Sequence, residues 1–341
     1  MLAEIEVACQ ESLNHEILRS EPAIQQMLDY HMGWDPSCPG KKGKRVRPLL
    51  LCLVLHACGG DWQRGMAAAV SVELLHNFTL IHDDIQDQSA ERHGRPTLWK
   101  IHGVPQAINA GDTLFSLALD HLWQLSPAYP AAVIAACSSE LTRTCLKLTI
   151  GQYRDMDFET RPVTPTSDNS NPGSARQPVT AADYVSMVEG KTTALLQSCC
   201  AIGAILAGAK PSTRTAVSAY GYHLGMAFQV IDDYLGIWGN SVLTGKSTAS
   251  DLVSRKRSIP VIWGLERSPA FRQRWEAGPI EPSDTSQLTE MLDAAGVAGD
   301  VLQLANDHTQ HAFENLQKIA ARGADTTDLV DLTHWLLGRA L

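Results

Sequence analysis

The chain has 341 residues, with 28 Lys and Arg against 37 Asp and Glu, for a formal net charge of −9. That balance argues against a general nucleic-acid binder, which carries a basic domain, and a hydrophobic share of 44% excludes a disordered chain. Anionic substrates stay open, because a local basic patch or a bound metal overrides a global sign.

Residues 1–17 already carry several acids, so no charged-then-apolar leader opens the chain. No stretch approaches the ~20 uninterrupted apolar residues of a membrane span. Eight cysteines without a C-x-x-C pair read as buried, reduced thiols. Together these predict a cytoplasmic protein without a transmembrane segment. Asp35 to Lys44 is a short Pro/Gly/Lys loop. Beyond it, proline-free windows at 49–95, 106–126, 131–161, 179–210, 212–259 and 283–341 predict helices, since proline breaks them. Leu51, Val54, Leu55 and Cys58 show the three- and four-residue apolar spacing of a helix. Strand signals are scarce, and the fold class is all-α, with ten or more helices. Thr160 to Thr180 carries four prolines among Ser, Asn, Asp and Gly. It reads as a flexible loop insertion at 160–180 or as a domain linker. Related motifs on both sides favour one domain over 1–341.

Two acidic clusters stand out. LIHDDIQD holds Asp83, Asp84 and Asp87, and FQVIDDYLG holds Asp232 and Asp233. On a helix, Asp83 and Asp87 share a face and repel each other unless a cation lies between them. Hard oxygen donors with open positions suit Mg²⁺, which binds through one or two carboxylates, water and substrate phosphates. Solvated acidic faces are the plainer alternative, but both clusters follow strongly apolar stretches. Basic residues flank them: Lys41, Lys42, Lys44, Arg45 and Arg47; then Arg92, His93 and Arg95; then Lys246, Arg255, Lys256 and Arg257. Arg grips phosphate oxygens bidentately and Lys supplies a point charge. The combination points to metal-clamped diphosphate chemistry.

Several ordered segments resemble the trans-isoprenyl diphosphate synthase (polyprenyl synthetase) family. Gly43-Lys44-Arg45-Val46-Arg47-Pro48 is similar to its G-K-R-x-R-P, and Glu73-Leu74-Leu75-His76 leads into the first aspartate-rich motif. Arg92-His93-Gly94-Arg95-Pro96-Thr97 is similar to R-R-G-x-P-T. Gly111-Asp112, Gly151-Gln152 with Asp155, Lys191-Thr192-Thr193, Phe228-Gln229 before Asp232-Asp233, and Gly245-Lys246 before Asp251-Leu252 and Lys256 complete the match.

The resemblance implies a single-domain antiparallel helical bundle around a central cavity, the isoprenoid synthase fold, working as a homodimer. It implies three Mg²⁺ ions between the two aspartate motifs and an allylic diphosphate (dimethylallyl, geranyl or farnesyl). That substrate ionises, isopentenyl diphosphate attacks the cation, and proton loss gives a longer trans product. By position, Asp83, Asp87 and Asp232 lead the metal ligands, with Asp84, Asp155 and Asp233 beside them. Arg92, Lys191, Lys246 and Lys256 would hold the allylic diphosphate, and Lys44, Arg47, His76 and His93 isopentenyl diphosphate. Thr192 and Gln229 would steady the cation by their dipoles, and the released diphosphate would act as general base. Breaking the C–O bond leaves charge on diphosphate that metal and bases stabilise, and the cation needs a dry pocket.

Three departures bear on this. His93 stands where a second Arg is usual, Gly236 replaces the last Asp of the second motif, and Ser247 and Ala249 alter the segment after Gly245-Lys246. Phe78 and Thr79 lie five and four residues before Asp83, or roughly 6–7.5 Å along a helix. A bulky side chain there would floor the cavity, which in the family implies a short-to-medium product, most often geranylgeranyl diphosphate. Simple core packing is the alternative for Phe78. Two other functions compete: a class I terpene cyclase and a non-catalytic subunit of a heteromeric synthase. Retained Lys44, Arg47 and His76 speak against the first, and the intact aspartates against the second.

Overall fold

The computed structural model describes residues 1–35, 38, 43–165, 176–239 and 249–338. Lys41, Lys42, Lys246 and the 166–175 part of the predicted insertion lie outside them. The prolines explain much of the helix pattern. Pro22, Pro105, Pro260 and Pro269 each sit in a helix's first turn, where the missing N–H costs nothing. The chain divides into two compact units. One comprises Met1–Thr142, Ser198–Val217 and Arg322–Asp325, and the other Arg143–Gln197, Ser218–Ala321 and Thr326–Leu341.

The first unit is built on α1 (Leu2–Ser12), α2 (Pro22–Met32), α3 (Val46–Ala57), α4 (Met66–Gln86), α5 (Leu98–His102) and α6 (Val104–Trp123). Helix α6 packs along α4 over much of its length. On α3, Leu50, Leu51, Val54 and Leu55 are fully buried. A later helix approaches them closely at Gly203, where a Cβ would stand 2.7 Å from the Leu51 carbonyl oxygen.

Among the described residues the only sheet is a hairpin, β1 (Glu91–Arg92) and β2 (Arg95–Pro96), with Arg92 opposite Arg95. Its two turn residues, His93 and Gly94, have φ of 55° and 76°. Two positive φ angles in succession suit a tight hairpin loop. The strands are too short for alternation to reveal them. Arg95 fastens the hairpin to α2. It donates to the Tyr30 carbonyl at 2.8 Å and lies 4.7 Å over the Tyr30 ring, while the Tyr30 hydroxyl donates to the Pro96 carbonyl at 2.8 Å.

The second unit holds the remainder of α7 (Ala131–Thr160), α8 (Ala181–Val188) and a π-helical turn at Glu189–Thr193. It also takes part of α9 (Ala194–Leu206) and most of α10 (Pro211–Trp238). There follow α11 (Ser250–Val253), α12 (Ile259–Arg267), α13 (Pro269–Glu276), α14 (Thr285–Ala294), α15 (Val297–Ala320) and α16 (Thr327–Leu337). Among the described residues no helix is long and apolar enough to cross a membrane. All eight cysteines are unpaired, and burial pushes the Cys52, Cys137 and Cys199 thiols up to about 12, so they are inert at neutral pH.

Candidate active site

The first acidic cluster ends α4. Adjacent helical residues point about 100° apart, so Asp83 and Asp84 cannot face the same way. Asp84 turns inward and is buried, and both its oxygens accept from Arg92 Nε at 3.0 Å. Burial raises the Asp84 carboxyl above the usual carboxylate range, and the Arg92 charge and hydrogen bonds oppose that rise. Asp83 is half-buried and Asp87 is exposed one turn further on. The cluster therefore splits into an inward carboxylate that holds Arg92 and an outward pair.

Upstream on α4, His76 meets Arg47 of α3, with Nε2 2.9 Å from Nη1. A guanidinium only donates, so His76 Nε2 accepts and the ring carries its proton on Nδ1. Burial, then the charges of Arg47 and Arg92, hold His76 well below the usual imidazole range. Arg47 itself is pulled down by burial, and its Nε is buried without a hydrogen-bond partner. Lys44 is exposed just before α3.

Neighbouring residues frame this basic group, and of them His31, Asn77, Glu6 and Trp34 had no role in the sequence reading. Arg45 donates to Glu6 and Glu73, each at 2.7 Å, and lies 5.3 Å over the Trp34 ring. Asn77 donates to the Glu73 carbonyl at 2.8 Å and its carboxylate at 3.1 Å. His31 of α2 is hydrogen-bonded to Asn77, and burial followed by Arg92 and Arg95 lowers its ring to about 3. The four-residue spacing of Glu73 and Asn77 was a usable signal. Nothing local announces His31, which the hairpin clip brings in from 40-odd residues upstream. His93 occupies the left-handed turn position, and Arg95 is committed to Tyr30.

One turn and more before Asp83, the Phe78 ring lies 5.1 Å from Phe115 of α6 and 4.7 Å from His82. Gly111 makes room for His82, since a Cβ there would stand 2.3 Å from Nε2. Thr79 bonds back to the His76 carbonyl at 2.7 Å.

In the second unit, glycines bring three segments into backbone contact. A Cβ on Gly151 of α7 would stand 2.2 Å from the Lys191 nitrogen, and one on Gly225 of α10 would stand 2.8 Å from Thr193 Cα. The widened π turn thus presents Lys191 and Thr192 between α7 and α10. Lys191 pairs with Asp155, one turn past Gly151. Thr192 Oγ1 donates to Gln229 Oε1 at 2.6 Å, and Gln229 Nε2 donates to Asp233 at 2.8 Å. Asp233 also accepts the Ile259 N–H at 3.4 Å, with Lys256 Nζ at 3.9 Å.

Burial pushes the Asp233 carboxyl up to about 6, with Lys256 pulling the other way. Burial works against the Lys256 ammonium, but Asp233, Asp251, Asp155 and Asp232 outweigh it and hold it above the usual lysine range. Asp232, the preceding residue, is only half-buried. The second cluster therefore splits as the first does, into one inward carboxylate and one outward.

These donors suit Mg²⁺. The outward carboxylates Asp83, Asp87 and Asp232 are hard oxygen donors, half-buried or exposed, and Mg²⁺ is bound through one or two carboxylates plus substrate phosphates and water.

Comparison with known proteins gives this geometry its context. The polyprenyl synthetase family model matches residues 22–294. The chain is 34% identical over 333 residues to (2E,6E)-farnesyl diphosphate synthase of Mycobacterium tuberculosis, covering 94% of this chain and 88% of that one. It is also 34% identical over 341 residues to geranylgeranyl diphosphate synthase of the same organism, covering 97% and 92%. The crystal structure of polyprenyl synthetase from Streptomyces coelicolor superposes with a TM-score of 0.81 at 32% identity, covering 100% of this chain and 98% of that one. The fold is accordingly the all-α isoprenoid synthase fold, and the chain belongs to the polyprenyl synthetase family, as a prenyltransferase.

Proposed function

We propose that this chain catalyses Mg²⁺-dependent condensation of isopentenyl diphosphate with an allylic diphosphate, as one catalytic domain, and that its main product is geranylgeranyl diphosphate. The observation that carries this reading is Arg47. A guanidinium with a buried, unpartnered Nε is costly until an anion fills the position. A synthase needs such a second anion site and a cyclase does not.

In this reading Lys44, Arg47 and the Nδ1–H of His76 hold isopentenyl diphosphate, and His93 lies in the adjoining hairpin. Asp83 and Asp87 at the end of α4 would hold metal, as would Asp232 on α10. When bound, Mg²⁺ supplies Lewis-acid stabilisation of the departing diphosphate. Lys191 adds its positive charge to that diphosphate from the π turn, and Lys256 adds charge from beside Asp233. Arg92 is held by Asp84 so that its remaining N–H donors can bind as well. Thr192 is steadied by its bond to Gln229, and the pair offers oriented dipoles to the allylic cation. Asp155 keeps Lys191 in place, and Asp233 does the same for Gln229 and Lys256. Proton loss to the released diphosphate ends the cycle.

The test is incubation with farnesyl diphosphate and Mg²⁺, with and without isopentenyl diphosphate, followed by product identification. A C20 diphosphate formed only when both substrates are present is expected. A hydrocarbon or alcohol formed without isopentenyl diphosphate would instead identify a cyclase.

Chain length rests on Phe78, braced by Phe115 and His82. Phe78→Ala should lengthen the product by roughly one isoprene unit, since a side chain about 7.5 Å before Asp83 floors that much chain. Unchanged product length on chromatography would remove the floor.

A homodimer completes the reading. Leu146, Ile150, Tyr153 and Met156 form an exposed stripe at four- and three-residue spacing on α7. A second copy covers it. Ile150→Asp should shift the sedimentation coefficient from dimer to monomer; an unchanged dimer would place the contact elsewhere.

A further inference from the structure

We propose that His31 of α2 is a further contact for isopentenyl diphosphate, standing in for the arginine absent at 93 and taking up a proton as the diphosphate binds. The inference rests on the prenyltransferase reading above and deepens it.

The hairpin side of that substrate lacks a committed base. His93 is exposed at the left-handed turn position, with φ of 55°. Arg95 is engaged by the Tyr30 carbonyl and ring, and Arg92 by Asp84. His31, the penultimate residue of α2, is half-buried in the same place. Two contacts put it there. The Tyr30 clip holds the end of α2 against the hairpin, through the Arg95 donation at 2.8 Å and the Tyr30 hydroxyl on the Pro96 carbonyl at 2.8 Å. Asn77, the residue after His76 on α4, is hydrogen-bonded to His31. His31 therefore joins the hairpin to the pair in which His76 Nε2 meets Arg47 at 2.9 Å. All of these residues belong to the first unit.

The hydrogen bonds fix the state of the ring. The Asn77 amide nitrogen donates to the Glu73 carbonyl at 2.8 Å and to its carboxylate at 3.1 Å. That uses both of its N–H groups, so only Oδ1 remains, and it can only accept. His31 therefore donates one ring N–H to Asn77. While the ring is neutral, its other nitrogen carries a lone pair. The titratable and charged groups around it are Arg92, His93 and Arg95 of the hairpin and His76 of α4, with Arg47 of α3 behind His76. All of them are basic. Together with burial, they keep the ring neutral in the free protein.

A diphosphate reverses that balance. Its negative charges offset the arginines and favour the charged imidazole. The ring takes a proton from solvent, and the nitrogen that carried a lone pair becomes a charged donor to a phosphate oxygen. The tie to Asn77 needs only one donor, which an amide side chain supplies as well. What histidine adds is the second nitrogen, which changes from acceptor to charged donor when the local field changes sign.

The test compares wild type with His31→Gln, which keeps a donor for Asn77 and removes the titratable ring. Calorimetric titration with isopentenyl diphosphate at neutral pH, in buffers of different ionisation enthalpy, reads the protons taken up. Wild type should take up about one proton more than the variant. In steady-state assays the variant's KM for isopentenyl diphosphate should rise about tenfold, the scale of one hydrogen bond to a charged group. Its kcat and its KM for farnesyl diphosphate should move by less than about twofold, as for a contact made to one substrate alone. The wild-type KM should climb as pH rises above neutrality, because the contact lasts only while the bound ring keeps its proton, and the variant should lose that dependence. Adding His93→Arg to His31→Gln supplies a permanent base and should return the KM to within about threefold of wild type. Equal proton uptake by the two proteins, an unchanged KM for isopentenyl diphosphate, or a double variant that folds without recovering it would leave His31 a packing residue. Should His31→Gln melt lower, the wild-type titration decides, and no proton taken up there overturns the proposal. Failure of wild type to bind isopentenyl diphosphate at all would instead overturn the prenyltransferase reading itself.

Discussion

Asp83→Ala and Asp84→Ala should fail in opposite ways, although the residues are adjacent. Removing Asp83 takes away an outward carboxylate one turn from Asp87. Folding should survive within about 0.5 kcal/mol, as for most changes away from the core. Turnover should fall by about 10²–10³, the usual loss when charge stabilisation of a leaving group is removed. Asp84→Ala acts on the fold first. It strips Arg92 of a buried partner that accepts at 3.0 Å on both oxygens. Removing one member of a buried pair costs about 3–5 kcal/mol in the limit, and partial exposure of Arg92 discounts this to about 2 kcal/mol. Urea denaturation and steady-state kinetics on the two variants separate these effects. An Asp83→Ala protein that unfolds early, or an Asp84→Ala protein as stable as wild type, would reverse the assignment of inward and outward carboxylates.

The largest stability loss is expected at Arg45. Its guanidinium is buried between Glu6 of α1 and Glu73 of α4 and capped by Trp34. Trp34 in turn donates to Glu6 at 2.7 Å. Glu73 is almost fully buried, so Arg45→Met leaves an uncompensated carboxylate in the core of the first unit. The expected cost is about 3–5 kcal/mol, visible as a large fall in the urea midpoint. Arg45→Met combined with Glu73→Leu replaces the buried charges by apolar groups and should recover most of the loss. Equal midpoints for wild type and Arg45→Met would show that the network contributes nothing. Arg45 lies in a segment otherwise read as phosphate-binding, so this variant also tests whether the middle base of Gly43-Lys44-Arg45-Val46-Arg47 serves the fold and the outer bases serve the ligand.

The same division recurs along the site. The two Asp-Asp pairs read identically as letters, yet in each the second residue is buried and engaged, by Arg92 in one and by Gln229 and Lys256 in the other. Helical twist requires that neighbours diverge. It does not say which of them turns inward, because that depends on what packs against the helix. Arg95 illustrates the limit from another side. As a letter it could replace the missing second Arg at His93, but the hairpin turns its guanidinium onto Tyr30 of α2.

What the sequence determined by itself was local or cumulative. Helix positions followed from where proline is absent and where apolar residues recur, because both act through backbone geometry over a few residues. The acidic and basic groups were legible because their chemistry depends on residue type at short spacing. Tertiary structure alone decided which carboxylates face inward and that His31 joins His76 and Asn77. These depend on contacts between segments far apart in the chain. Such contacts are set by packing whole helix faces, and no local pattern of residues encodes them.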